Sequence, residues 1–138
     1  DMTSIWSTPQ HAIHLHAPEH LFVTADPGRI QQAVENLLSN ATTHAEGKTA
    51  VQVMVKEESH NEEPWVTVIV SNQGPPIPPE QLATLFLPFA KGELSQGMGL
   101  GLHLAERIAH AHHGSLTVRT DAGPTTSFLL SWPQTHGQ

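Results

Sequence analysis

Cysteine, positive charge and long apolar runs are what this sequence has least of. It contains no cysteine, so it cannot form a disulfide or a thiolate metal site, and this absence fits a reducing compartment. No stretch approaches the ~20 apolar residues that span a bilayer, so we expect no direct contact with a membrane. Six Lys and Arg residues stand against 13 Asp and Glu, for a formal net charge of -7. That balance argues against nucleic acid as a partner, because phosphate neutralisation needs clustered cations.

The remaining composition is that of a globular protein. Of the 138 residues, 38% are apolar and 14% are charged, which is not the balance of a disordered chain. This length predicts one domain with a core large enough to fold without disulfides. We expect residues 1–12 to be a linker or cut edge and residues 134–138 to be a tail.

Hydrophobic periodicity and Pro/Gly breaks predict a mixed order of elements. The predicted strands are 13–17, 21–25, 51–56, 65–70, 116–120 and 126–132, with a polar turn over 57–63. The first predicted helix begins at Pro27, with Asp26 as its N-cap. Two further helices are predicted over 79–86 and 100–113. Gly114 is the expected C′ residue of the last helix. The order predicts an α+β fold with helices layered on one sheet, and not a doubly wound α/β fold.

Three amide side chains recur every four residues along the first predicted helix: Gln32, Asn36 and Asn40. Positions four apart differ by only about 40° around a helix, so these amides form one polar stripe. One interpretation is a solvated surface stripe. The other is that amide oxygens face a cation or phosphates, since carbonyl oxygens suit Mg²⁺.

Three alternating glycines, Gly97, Gly99 and Gly101, stand directly before the last predicted helix. Without a Cβ the backbone can approach a ligand closely, and a helix start offers free N–H groups and the positive end of the dipole. The segment is therefore either a flexible loop or a phosphate-binding loop. A Rossmann fingerprint does not fit, because Leu102 stands where that motif needs glycine.

Two further patterns carry weaker signals. Segment 71–77, SNQGPPI, ends a predicted strand in a Gly/Pro turn, and it is either a simple turn or a place to hold a ligand. The eleven histidines lack the spacing of a zinc site, so we expect no metal site built from them. No nucleophile elbow or Ser/His/Asp pattern is present.

Taken in order, five segments resemble the ATP-binding catalytic domain of sensor histidine kinases, a Bergerat-fold family that also includes DNA gyrase. The resemblance covers about residues 13–133. The similar segments are the N box at 26–44 (DPGRIQQAVENLLSNATTH), the G1 box at 71–80 (SNQGPPIPPE), the F box at 85–89 (LFLPF), the G2 box at 96–102 (QGMGLGL) and a final glycine/threonine box at 123–128 (GPTTSF). This family implies a two-layer sandwich: a mixed, mostly antiparallel sheet of about five strands, covered by about three helices.

The resemblance also implies roles for single residues in binding Mg-ATP. Asn40 is the implied Mg²⁺ ligand. Asn36 and Lys91 are the implied catalytic residues near the γ-phosphate, and a short lid follows from Lys91 onwards. The implied nucleotide-binding residues are Asn36, Asn40, Asn72, Gly74, Ile77, Lys91, Gly97, Met98, Gly99, Leu100, Gly101, Leu102 and Thr126.

Three positions depart from the family pattern. Asn72 stands where the G1 box has an Asp that accepts a hydrogen bond from adenine. A neutral bond in place of a charged one costs about 1 kcal/mol, or about fivefold in affinity. Pro76 stands in place of a glycine, and this pair is similar to the variant G1 box of phytochrome-type kinases. Thr43 replaces a Lys that contacts phosphate, which makes Lys91 more important.

The implied function is phosphoryl transfer in two-component signalling. Asn36 stands where gyrase-like relatives have a Glu that activates water, so transfer to a protein nucleophile is favoured over hydrolysis. The chain has no phosphoacceptor motif, so it would donate the γ-phosphoryl group to a histidine on a separate dimerisation domain, with a response regulator acting indirectly. We expect a cytoplasmic domain that is monomeric alone, within a homodimeric parent protein, soluble or membrane-anchored. The alternatives are a degenerate nucleotide-sensing module and an anti-sigma-factor-type serine kinase.

Overall fold

The computed structural model describes residues 2–7, 11–18, 25–88, 100–120 and 124–134. Its strands are β1 (Met2–Ser7), β2 (Ala12–Ala17), β3 (Val51–His60), β4 (Glu63–Gln73), β5 (Ser115–Thr120) and β6 (Thr125–Pro133). Its helices are α1 (Pro27–His44), α2 (Pro79–Leu82) and α3 (Gly101–Ala111). None of the helices in these ranges has the length and apolar character needed to cross a bilayer.

One mixed sheet organises the fold, with the strand order β1-β2-β3-β4-β6-β5. The β2–β3 pair is parallel, and every other pair is antiparallel. The α+β prediction is confirmed, although the described sheet has six strands rather than about five. The additional strand, β1, pairs with β2, so the expected linker over 1–12 is wrong for residues 2–7. Most of the predicted strand over 21–25 lies outside the described residues.

Local chemistry explains why α1 begins where it does and which side of it is buried. The Asp26 carboxylate accepts a hydrogen bond from the Arg29 backbone N–H at 3.2 Å, and Pro27 is the first helical residue, as predicted. Three residues on one face are fully buried at 0% exposure: Ala33, Leu37 and Ala41. The amide stripe runs beside this face, so packing of the apolar residues fixes the direction of the amides.

The hairpin between β3 and β4 is longer than predicted. The expected polar turn over 57–63 is instead strand up to His60, followed by a two-residue turn at Asn61 and Glu62 with φ of 53° and 68°. Polar contacts across the two strands explain the extension, because the Thr67 hydroxyl donates to the Glu58 carboxylate at 2.7 Å. Two-residue hairpin turns of this hand match the twist of the strands.

The end of α3 also differs from the prediction, because His113 and not Gly114 takes the left-handed conformation, with φ 66°. The Gly114 N–H donates to Ala109 O at 2.8 Å and the His113 N–H donates to His110 O at 3.0 Å, which is the Schellman pattern. Gly114 is required for another reason. A Cβ there would lie 1.8 Å from the backbone oxygen of Ser131, so α3 can reach β6 only through a glycine.

The second predicted helix is shorter than expected. Helix α2 ends at Leu82, and turns rather than a helix continue to residue 88. Backbone hydrogen bonds between residues three apart, such as Leu87 N–H to Thr84 O at 3.0 Å, stabilise these turns. It carries Leu85, whose side chain is buried in the core, so the segment closes one side of the space between α1 and the sheet.

Candidate functional site

A cavity of about 150 Å³ opens where the C-terminal half of α1 meets the end of β4. Its walls combine proline and aliphatic side chains with a few amide and hydroxyl groups. This is the usual character of a small-molecule site, in which apolar walls hold the ligand and a few polar groups orient it. The lining residues are Asn40, His44, Asn72, Pro75, Pro76, Ile77, Pro78, Gln81, Leu85, Thr126 and Phe128.

Helix α1 brings two of its amides to this region. Asn40 lines the cavity. Asn36 lies one turn earlier, where α1 meets the start of α3, since a Cβ on Gly101 would be 3.8 Å from the Asn36 Cβ. The predicted Mg²⁺ helix is therefore adjacent to Gly101, the last glycine of the predicted phosphate-binding segment, although the two are far apart in sequence. Gln32 does not line this cavity.

The Asn36 side chain carries a buried nitrogen, Nδ2, that has no hydrogen-bond partner among the described residues. A buried polar atom without a partner costs about 1–3 kcal/mol, so such an atom one helical turn from the cavity-lining Asn40 fits a site that a ligand completes. An amide N–H suits a phosphate oxygen, and the amide oxygen of Asn40 suits Mg²⁺, which takes few protein ligands and keeps several waters. The donor set therefore fits Mg²⁺ bound together with phosphates.

The end of β4 supplies buried polar groups on the opposite wall. Asn72 is 5% exposed, and its Nδ2 makes a long hydrogen bond of 3.4 Å to the Gln73 carbonyl oxygen. Thr126 lies directly across the ladder from Asn72 and is also 5% exposed. Both side chains retain hydrogen-bonding capacity toward the cavity they line.

Gly74 fixes the distance between these two walls. Its N–H donates to Pro124 O at 2.8 Å, and a Cβ added to it would lie 2.6 Å from the backbone oxygen of His44, the last residue of α1. The strand end and the helix end are in direct backbone contact at this point. Glycine is needed here because of that close approach.

The start of α3 is described, but most of the predicted phosphate-binding segment before it lies outside the described residues. Leu100 is the N-cap of α3 and makes no side-chain capping hydrogen bond, so no described side chain caps the first N–H groups of this helix, which suit an anion. Leu102 is 1% exposed and packs in the core, which leaves only its backbone for a ligand. The predicted positions outside the described residues are Lys91, Gly97, Met98 and Gly99.

His44 is the functional candidate that the sequence analysis missed. It lines the cavity, and desolvation lowers the pKa of its imidazole, so the ring is neutral at neutral pH. The signal was present, because His44 continues the four-residue spacing of Gln32, Asn36 and Asn40. Leu85 and Phe128, which lie in the predicted F box and final box, were also not named as lining residues.

The cavity is electrically neutral in its described part. No carboxylate and no Lys or Arg is among its described lining residues. Within the described ranges, no group of three His, Asp or Glu side chains could hold a metal ion. A metal at this site would therefore depend on amide oxygens and on the ligand's own phosphates. No described side chain in the cavity can act as a general base toward water except the neutral His44.

Comparison with known proteins relates this chain to sensor kinases. The chain is 35% identical over 117 residues to a probable sensor kinase, SilS, of Salmonella typhimurium, covering 81% of this chain and 22% of that protein. Sensor histidine kinase CusS of Escherichia coli K12 is 35% identical over 116 residues, covering 80% of this chain and 23% of that protein. The chain thus spans about a quarter of the length of these relatives.

Solved structures give the same result. The catalytic domain of histidine kinase ThkA, in a nucleotide-free form, aligns with a TM-score of 0.71 and 32% identity, covering 88% of this chain and 77% of that one. Full-length ShkA in complex with AMPPNP aligns with a TM-score of 0.69 and 25% identity, covering 91% of this chain and 27% of that one. One family model matches residues 25–136. This range includes α1, the residues that line the cavity, and the closing strands. The chain belongs to the family of histidine kinase-, DNA gyrase B- and HSP90-like ATPases.

Proposed function

We propose that this chain is the ATP-binding catalytic domain of a sensor histidine kinase. It binds Mg-ATP and donates the γ-phosphoryl group to a histidine on a separate phosphoacceptor domain. The observation that carries the proposal is the convergence of Asn40, Asn72 and Thr126 on one cavity, although they are far apart in sequence. The similarity to sensor kinases supports it, as does the similarity to full-length ShkA, which was solved in complex with AMPPNP.

Adenine binds in the part of the cavity formed by β4, β6 and the proline-rich turn. Ile77 and Phe128 give apolar faces for the ring, and the Asn72 amide oxygen accepts a hydrogen bond from the exocyclic amine. The Thr126 hydroxyl contributes a second polar contact. Because Asn72 is neutral and buried, it recognises the base without placing a charge near the phosphates.

The phosphates extend from the base along α1 toward α3. Asn40 provides an amide oxygen to Mg²⁺, which neutralises phosphate charge when it is bound. The Asn36 Nδ2, buried and without a partner among the described residues, donates to a phosphate oxygen. The first N–H groups of α3, after Leu100, face the same anion. We assign the remaining contacts to Gly97, Met98 and Gly99, and assign Lys91 to the γ-phosphate.

The neutral character of the site favours transfer over hydrolysis. Asn36 cannot take a proton from water, and no described lining residue is a carboxylate. The described base in the cavity, His44, is the last residue of α1, two turns beyond Asn36. Transfer therefore requires an imidazole nitrogen as the nucleophile. This nitrogen attacks the γ-phosphorus while the bond between that phosphorus and the β,γ-bridging oxygen breaks, and ADP leaves. The attacking histidine belongs to a dimerisation domain of the same homodimeric, cytoplasmically oriented kinase, and a response regulator then receives the phosphoryl group.

One observation keeps a second function in view. Asn72 replaces the expected charged acceptor, and exposed Thr43 replaces an expected phosphate-binding Lys. Both changes reduce affinity for ATP, as in a nucleotide-sensing module that transfers nothing. The two functions differ in one readout, because a sensing module binds ATP yet leaves the phosphoacceptor histidine unlabelled.

The test is calorimetric titration of the domain with ATP, with and without Mg²⁺. Asn40→Ala is expected to remove the Mg²⁺-dependent part of the affinity, while Ser39→Ala, an exposed neighbour on α1, leaves it unchanged. Equal Mg²⁺ dependence in both variants would contradict the assignment of Asn40. In a second assay, this domain and labelled ATP are mixed with the phosphoacceptor domain. Label on the phosphoacceptor histidine supports the kinase, and ATP binding without label on that histidine supports the sensing module.

A further inference from the structure

A second cavity, of about 250 Å³, lies between the first turns of α1 and the second half of α3. It shares no lining residue with the nucleotide cavity. Arg29 precedes Asn40 by eleven residues in α1, which is roughly 16 Å along a helix. The lining residues are Arg29, Gln32, Leu104, Arg107, Ile108, Ala111 and His112.

Positive charge is concentrated at this cavity. The chain has only three arginines in a net charge of -7, and two of them, Arg29 and Arg107, line the same cavity from different helices. Neither guanidinium takes part in an ion pair within the described residues. The nearby Asp26 carboxylate is engaged as the cap of α1, where it accepts the Arg29 backbone N–H. Two guanidinium groups without an ion-pair partner among the described residues therefore belong to the lining of one cavity. The planar donor arrangement of a guanidinium matches the two oxygens of a carboxylate.

The floor of the cavity is apolar. Leu104 is 38% exposed and Ile108, one turn further on, is 6% exposed. His112 is already engaged at both ring nitrogens, because its Nε2 accepts the Asp26 N–H at 3.0 Å and its Nδ1 donates to Ile108 O at 2.9 Å. Arginine around an apolar centre is typical of the energetically important part of a protein interface.

We propose that this cavity docks an acidic segment of another domain of the same full-length kinase. Carboxylates of the segment bind Arg29 and Arg107, and a large apolar side chain beside them packs on Leu104 and Ile108. The inference rests on the proposed function in one respect, namely that this chain is one domain of a longer kinase. A protein segment suits this lining, because one segment can carry both the carboxylates for the two arginines and an apolar side chain for the floor.

Physical chemistry also favours a tethered partner over a free one. Exposed ion pairs contribute little and are screened by salt, and the apolar floor consists of only a few side chains. A free segment would therefore bind weakly. A segment of the same polypeptide has an effective concentration of about millimolar or more, which is sufficient to fill such a site. The chain covers about a quarter of its sensor-kinase relatives, so the remainder of a kinase of that size can supply the segment.

The test is photo-crosslinking in the full-length protein. Leu104→p-benzoylphenylalanine places a photoreactive group on the cavity floor, and peptide mass spectrometry identifies what it captures. We expect an acidic segment of the same polypeptide. Adding Arg29→Gln and Arg107→Gln is expected to lower the yield about tenfold, as two exposed ion pairs would, and high salt should do the same. Arg29→Lys with Arg107→Lys should retain part of it. Met54→p-benzoylphenylalanine is the matched control, because Met54 is an exposed position of strand β3.

Four results would overturn the proposal. The first three are capture of a segment without acidic residues, capture of a separate protein, and a yield indifferent to the two arginines. Absence of any product specific to position 104 would do so as well. ATP titration of the double Gln variant separates this inference from the proposed function. We expect wild-type affinity, because neither arginine lines the nucleotide cavity. Loss of ATP binding by the wild-type domain would instead contradict the proposed function.

Discussion

Gly74→Ala is expected to damage stability and nucleotide binding together. The added Cβ would lie 2.6 Å from the backbone oxygen of His44 and 3.5 Å from Asn72 Nδ2. A backbone oxygen at the end of a helix cannot rotate away as a flexible side chain does. Relief therefore requires the end of α1 and the end of β4 to separate, and these two ends are the walls of the cavity.

The size of the effect follows from that separation. The contact has to open by at least about 0.4 Å before it reaches the 3.0 Å below which real Cβ contacts are essentially never found. Overpacking of this kind costs about 1–3 kcal/mol of stability. Because Asn40 and Asn72 stand on the two separating walls, a nucleotide held between them loses at least one neutral hydrogen bond. That loss is about 0.5–1.5 kcal/mol, which corresponds to about tenfold in affinity at its upper end.

Denaturant unfolding and calorimetric titration with AMPPNP measure the two effects in the same protein. Gly28→Ala is the matched control, because its Cβ would meet nothing closer than Asp26 Oδ1 at 3.6 Å. In a helix this exchange is expected to stabilise the fold by about 0.5–1 kcal/mol and to leave affinity unchanged. Wild-type stability and affinity in Gly74→Ala would refute the idea that backbone contact at this position sets the width of the site.

Three further outcomes follow from single contacts. Asn72→Asp should tighten ATP binding about fivefold by restoring a charged acceptor; weaker binding in a competition assay would mean that the base lies elsewhere. His113→Gly should raise stability by about 0.5–1 kcal/mol, since His113 has φ 66°, a conformation that favours glycine; an unchanged or lower melting temperature would contradict this. Because desolvation lowers the folded-state pKa of His44 below 6.5, the unfolded chain binds more protons, so stability falls as pH drops through 6.5 and levels off below the folded pKa. His44→Gln should remove that component of the pH profile between pH 5 and 8.

The parts of the fold that could be predicted from sequence are those with local causes. Asp26 and Pro27 mark the start of α1 by capping chemistry alone, and a period of 3.6 residues identifies the face that holds Leu37 in the core. The candidate cavity was predictable for the same reason. Asn40 and Asn72 belong to motifs whose spacing is fixed by one helix and one strand end, and both line the same cavity, while their roles in binding nucleotide stay predictions.

The errors arise where a non-local contact overrides a local signal. Glu62 has no intrinsic preference for a positive φ, yet it adopts 68° because pairing of β3 with β4 leaves only two residues for the turn. Gly114 is a good C′ residue by sequence, but the close approach of Ser131 uses it one position later. Strand β1 was missed because six residues gain their order only by pairing with β2, which no periodicity within them reveals.

The two cavities are related through α1, and this relation has a mechanical basis. Gln32 lines one cavity and Asn40 the other, with Asn36 between them on the same stripe. The adjacent face of the helix is held by Ala33 and Leu37, which are fully buried, and close-packed interiors resist local deformation. The helix can therefore shift against α3 and the sheet only as a unit. A segment that binds the first turns of α1 and a nucleotide that binds its last turns act on one rigid element, so each changes the energy of the other to the extent that they favour different positions of that helix.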